Sequence, residues 1–122
     1  MTRLKKRAEF KAVAKGVRVH RDAFTLQALR RDETATIHGD TPRVGFTVTK
    51  KVGNAVVRNR IKRRFRALSD VMRGEFRDTT DYVIVARRAA LDAPFVGLGD
   101  ALAGAIGAAH DKLNRPAVQK RA

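Results

Sequence analysis

The chain has 122 residues, 43% of them apolar, which is the size of one domain with one modest core. Its 27 Lys and Arg stand against 12 Asp and Glu, a formal charge of +15 that exceeds what solubility requires, and there is no cysteine. Disulfides and thiolate zinc sites are thereby excluded, and the charge calls for a polyanion: nucleic acid first, an anionic membrane second, an acidic protein third.

The opening Met1-Thr2-Arg3-Leu4-Lys5-Lys6-Arg7 has the basic character of the start of a signal peptide. Glu9, Lys11 and Lys15 interrupt the apolar stretch that would have to follow, so a cytoplasmic protein is expected. Phe10, Val13 and Ala14 fall at helical spacing from Ala8 to Lys15, and Gly16 is a plausible stop before strands begin. From Ala23 to Leu29, Phe24, Leu26 and Ala28 alternate with Thr25 and Gln27. From Arg43 to Thr49, Val44, Phe46 and Val48 alternate with Gly45 and Thr47. Each run predicts a strand with two unlike faces. The polar stretch between them, Arg30 to Pro42, reads as an exposed connection.

Asn54 is suited to cap a long helix, in which Val57, Ile61, Phe65, Leu68 and Met72 fall within about 80° of one another at about 100° per residue. Asn59, Lys62, Arg63 and Arg66 then point away from that core stripe, Arg58, Arg60 and Arg64 flank its edges, and Gly74 is expected to end the helix in the left-handed conformation. Tyr82-Val83-Ile84-Val85-Ala86 is apolar on both faces, as in a central, covered strand. Leu102, Ile106, Ala109 and Leu113 predict a last amphipathic helix before Pro116. Its most apolar run, Ala101 to Ala109, is about half the length that spans a membrane. There is no internal repeat. The reading is one domain over 1–116, with 117–122 a mobile basic tail.

From Lys50 to Arg66 there are eight cations and no acid. A solvated helix face ordinarily alternates signs to gain pairs one turn apart, and this one has only repulsion. Long cationic side chains on a rigid helix, with Asn59 among them as donor and acceptor, suit phosphate clamping with one polar reading contact. Signs of protein-borne catalysis are thin. His20, His38 and His110 are scattered and read as ordinary surface residues, Asp32-Glu33 as a loop pair, and Asp78 and Asp81 as flanking a turn.

Arg58-Asn59-Arg60-Ile61-Lys62-Arg63 matches the Arg-Asn-Arg motif of the ribonuclease P protein family. Val44-Gly45-Phe46-Thr47-Val48-Thr49-Lys50-Lys51-Val52-Gly53-Asn54-Ala55-Val56 resembles that family's strand and the approach to its central helix. Arg3-Leu4-Lys5 with Phe10 resembles its opening, and Asp81-Tyr82-Val83-Ile84-Val85-Ala86-Arg87 its late strand. The likeness covers most of residues 3 to 90. It implies an α+β fold, an α/β sandwich in helix-strands-helix-strand-helix order with a left-handed β-α-β crossover. It implies a protein subunit that joins a catalytic RNA in removing the 5′ leader of precursor tRNA, with the catalytic groups and Mg2+ on the RNA and no cofactor, catalytic residue or metal site on this chain.

The resemblance further implies contacts to ribonuclease P RNA by Lys50, Lys51, Asn54, Arg58, Asn59, Arg60, Lys62, Arg63 and Arg66, and a leader cleft lined by Phe10, Lys11, Ala14 and Gln27. Neither DNA nor a membrane is an expected partner. Ala14 and Gln27 stand where the family often carries aromatics, which thins the stacking surface. Phe10 is either a stacking platform or a core residue, whereas Phe24, Phe46, Phe65 and Phe76 read as packing residues. A ribosomal or RNA-chaperone protein is the alternative reading and a protein-only nuclease the third.

Overall fold

The computed structural model describes residues 2–31 and 41–115. The predicted connection, Asp32-Glu33, His38 and the tail 117–122 therefore lie wholly or largely outside the described residues. In chain order the elements are β1 (Thr2–Arg3), α1 (Arg7–Ala14), β2 (Val17–His20), β3 (Phe24–Arg30), β4 (Arg43–Thr47), α2 (Ala55–Val71), β5 (Thr80–Ala86), α3 (Ala89–Asp92) and α4 (Phe95–Leu113). The strands form one sheet in the order β1-β4-β5-β3-β2, with β1, β4 and β5 mutually parallel and β5-β3-β2 antiparallel. The α2 helix makes the crossover between the parallel neighbours β4 and β5.

The strand that is apolar on both faces lies at the centre because both faces are covered. Tyr82, Ile84 and Ala86 enter the main core with Phe24, Leu26, Ala28 and Val44, beneath α2 and α4. Val83 turns the other way and joins Leu4 and Val13 beneath α1, with Phe10, Leu29 and Val85 at the margin. The alternation read in β3 and β4 is thus the division between a large core and a small one. Rows cross the sheet in register: Leu26, Ile84 and Phe46 on one face, and Gln27, Val83 and Gly45 on the other.

The predicted stripe of α2 is the packed one. Ile61, Phe65 and Leu68 are buried, Val57 and Met72 pack at its ends, and the rings of Phe65 and Phe24 meet edge to face at 5.5 Å. Asn54 caps the helix as expected, its side-chain oxygen accepting from the Val57 amide at 3.0 Å. The helix stops short of Gly74, which is not left-handed. After Met72, at φ −97°, a 3₁₀ turn over Arg73–Glu75 takes up the free carbonyls and delivers Phe76 onto Tyr82, with ring centroids 4.9 Å apart.

Two readings of single residues are corrected, and a third is extended. His110 is not a surface residue: it is 7% exposed on the inner face of α4, with Nε2 2.7 Å from the Tyr82 hydroxyl. That hydroxyl also accepts from the Arg77 amide at 2.9 Å, leaving its own proton for a neutral imidazole, and burial lowers the His110 pKa in keeping with this. Asp81 does not flank a turn; it lies within β5 and is 4% exposed. Gly16 is more than a helix stop, because a Cβ there would come within 2.1 Å of the Ala28 carbonyl oxygen, so only glycine lets α1 end against β3.

Candidate nucleic-acid interface

The outer side of α2 is a continuous basic surface. Asn59, Arg60 and Arg63 are exposed, Lys62, Arg66 and Arg58 are partly covered, and Lys50 and Lys51 stand exposed on the 3₁₀ turn that leads into the helix. Asn59, Lys62, Arg63 and Arg66 come together with Val56 around a shallow groove of about 450 Å3. Val56 is 67% exposed, an apolar spot inside a ring of donors. The remaining predicted residues are set differently. Asn54 spends its carbonyl oxygen on the cap, Arg58 folds its Nε back onto the Gly53 carbonyl at 3.2 Å, and Arg60 lies outside the groove on the helix edge.

One cation of the same run has another task. Arg64 donates to the carbonyls of Ala90 at 2.6 Å, Leu91 at 2.8 Å and Ala93, and sits 5.9 Å from the centre of the Phe95 ring. These carbonyls close the single turn of α3, whose C-terminal acceptors would otherwise lack partners. Arg64 therefore ties the basic helix to the α3–α4 junction. Arg88 does the same for the lysine-bearing turn, donating to the Val52 carbonyl at 2.8 Å.

The second predicted surface lies between α1 and the sheet. The ring of Phe10 rests directly on Gly45, where a Cβ would stand 2.6 Å from a ring carbon, and Phe10 is half-buried against the small core. It is thus a packing residue that keeps one side open. Ala14, one turn on, and Gln27, in the same cross-strand row as Gly45, are also half-buried, whereas Lys11 is exposed. The next row, Thr25, Val85 and Thr47, continues this face of the sheet. There the Thr25 hydroxyl bonds His20 Nδ1 at 3.0 Å and accepts from Arg87 at 2.7 Å, a polar cluster that the sequence reading missed.

The position of α1 over the sheet is set by buried charges. Arg43 grips Asp81 with two bonds, Nε to Oδ1 at 2.8 Å and a terminal nitrogen to Oδ2 at 2.6 Å, while its other terminal nitrogen reaches Glu9 of α1 at 2.6 Å. Arg31 donates to Asp81 at 2.5 Å and to the Thr41 carbonyl at 2.6 Å. Glu9 also accepts from the Lys6 and Lys5 amides at 2.9 and 3.0 Å. Those two amides, with Arg43 beyond them, lower its pKa from 4.5 to about 2. A glutamate in a basic segment, an arginine at a strand start and an aspartate at another gave no local sign of meeting.

A family profile described as Ribonuclease P matches residues 1–110. The chain belongs to the ribonuclease P protein family. It is 46% identical over 114 residues to the ribonuclease P protein component of Brucella suis, covering 90% of this chain and 81% of that one. The component from Bartonella quintana is 49% identical over 98 residues, 79% of this chain and 74% of its own. The solved RNase P protein of Staphylococcus aureus is 29% identical and superposes with a TM-score of 0.73 over 93% of this chain and 99% of that one. Within this ribonuclease P fold the described residues gather no group of three His, Asp or Glu able to hold a metal ion. Among the described residues no helix is long and apolar enough to cross a membrane.

Proposed function

We propose that this chain acts as the RNA-holding part of a cytoplasmic ribonuclease P, with α2 seated on the catalytic RNA and the 5′ leader of precursor tRNA lying in the cleft beside α1. The observation that carries the reading is the groove of Asn59, Lys62, Arg63 and Arg66 on a helix whose sole acid, Asp70, lies near its far end. Such a surface releases counterions from phosphate and offers no general base. The cations screen repulsion between the two RNAs, and this raises affinity for substrate and for the divalent ions that the catalytic RNA holds. Mg2+ chemistry and bond cleavage belong to the RNA. Phe10, fixed on Gly45 with one side open, is placed to stack on a leader base, and Gln27 to offer an amide to its neighbour.

The test is the salt dependence of binding. Arg60→Ala and Arg63→Ala should each reduce the slope of log affinity against log salt by about one and weaken assembly with ribonuclease P RNA, leaving the fold intact. A double variant with unchanged slope and unchanged assembly would mean that α2 is not the RNA surface.

A further inference from the structure

Where the edge of the sheet meets α2, a small notch of about 80 Å3 is lined by Thr2, Arg3, Phe46, Arg66, Ser69 and Asp70. It adjoins the groove, since Arg66 lines both. Two donors in its wall are unsatisfied. The Ser69 hydroxyl, on a residue 1% exposed, and the buried Nε–H of Arg66 have no hydrogen-bond partner among the described residues. A helical serine ordinarily spends its hydroxyl on a carbonyl one turn back, and an arginine offers only donors, so both groups require an acceptor from elsewhere.

We infer that this notch is a phosphodiester seat, in which one backbone phosphate of the bound RNA accepts from Ser69 Oγ and Arg66 Nε and is faced by Arg3. The inference rests on the RNA-holding role proposed above and extends the α2 surface around to the sheet edge. Charge selects the ligand. Arg3 and Arg66 give the notch a positive charge that Asp70, itself 3.9 Å from Arg73, only partly offsets, which suits a phosphate group. Both orphaned groups can donate, which suits the acceptor oxygens of a phosphate.

The experiment titrates wild type and Ser69→Ala against ribonuclease P RNA in one arm and precursor tRNA in the other, with urea unfolding alongside. Ser69→Ala should keep or slightly raise stability, because it deletes an unpaired buried donor, and should weaken one arm by about tenfold to a hundredfold, the range of a hydrogen bond to a charged group. The weakened arm identifies which RNA supplies the phosphate. Arg3→Ala, on the exposed edge strand, should weaken the same arm and lower its salt slope by about one. Wild-type affinity for both RNAs in both variants, or a Ser69→Ala protein that loses stability while binding normally, would show the hydroxyl to be an internal structural group. In that case wild type still binding RNA with a steep salt slope would leave the general reading intact, whereas wild type binding neither RNA would remove both.

Discussion

Asp81 holds its charge where water scarcely reaches, and it is tolerable there only because Arg43 and Arg31 supply donors to both of its oxygens. Asp81→Asn keeps the shape and removes the charge, taking from the buried Arg43 and Arg31 guanidinium groups the carboxylate that they share, with Glu9 still on Arg43. The expected loss is about 3–5 kcal/mol in urea unfolding at neutral pH, and a loss below about 1 kcal/mol would show the network to be ornamental. Glu9 gives the same network a pH signature. Its pKa falls from 4.5 to about 2 on folding, so the stability it contributes is fully present above pH 4.5 and is lost as pH drops toward 2. Glu9→Gln should flatten the unfolding free energy over that window. Phe10→Ala should weaken binding of precursor tRNA with a long leader by about 1–3 kcal/mol and barely affect a one-nucleotide leader. Because the ring also packs on Gly45, stability is measured in parallel, and equal losses for both leaders in a stably folded variant would remove the cleft from the account.

Among the elements, α2 was legible because its two jobs have different periods in the sequence: the stripe from Val57 to Met72 repeats every three or four residues, and the cations fill what remains. The central place of β5 was legible for a similar reason, as both its faces are apolar. The short strands β1 and β2 were not, since two and four residues are too few to establish a period and are held mainly by neighbours already in the sheet. Nor was Arg64, whose partners are backbone carbonyls 26 to 29 residues along the chain, which any side chain could bear. Adjacent arginines should therefore behave oppositely. Arg64→Ala is expected to cost about 1–3 kcal/mol of stability with no change in salt slope, and Arg63→Ala to flatten the slope at unchanged stability. Equal flattening by both would return Arg64 to the RNA surface.

At the scale of the whole molecule, the +15 charge and the Arg58-Asn59-Arg60 motif pointed to an RNA partner, and family membership over residues 1–110 agrees with that direction. What they could not supply is how α1 stands over the sheet, because the ion network that fixes it joins residues 34 to 50 positions apart, as in Arg43 with Glu9 and Arg31 with Asp81. If roughly six to ten phosphates are engaged, affinity for RNA should fall by about 10³–10⁵ between 50 and 200 mM salt. The most direct measurement combines the chain with a bacterial ribonuclease P RNA and follows 5′ maturation of precursor tRNA at low magnesium. Cleavage should be strong with both components, weak with RNA alone and absent with rigorously RNA-free protein. Maturation by the protein alone at a comparable rate, or no gain over the RNA alone, would contradict the assignment of RNA holding to this chain and of chemistry to its partner.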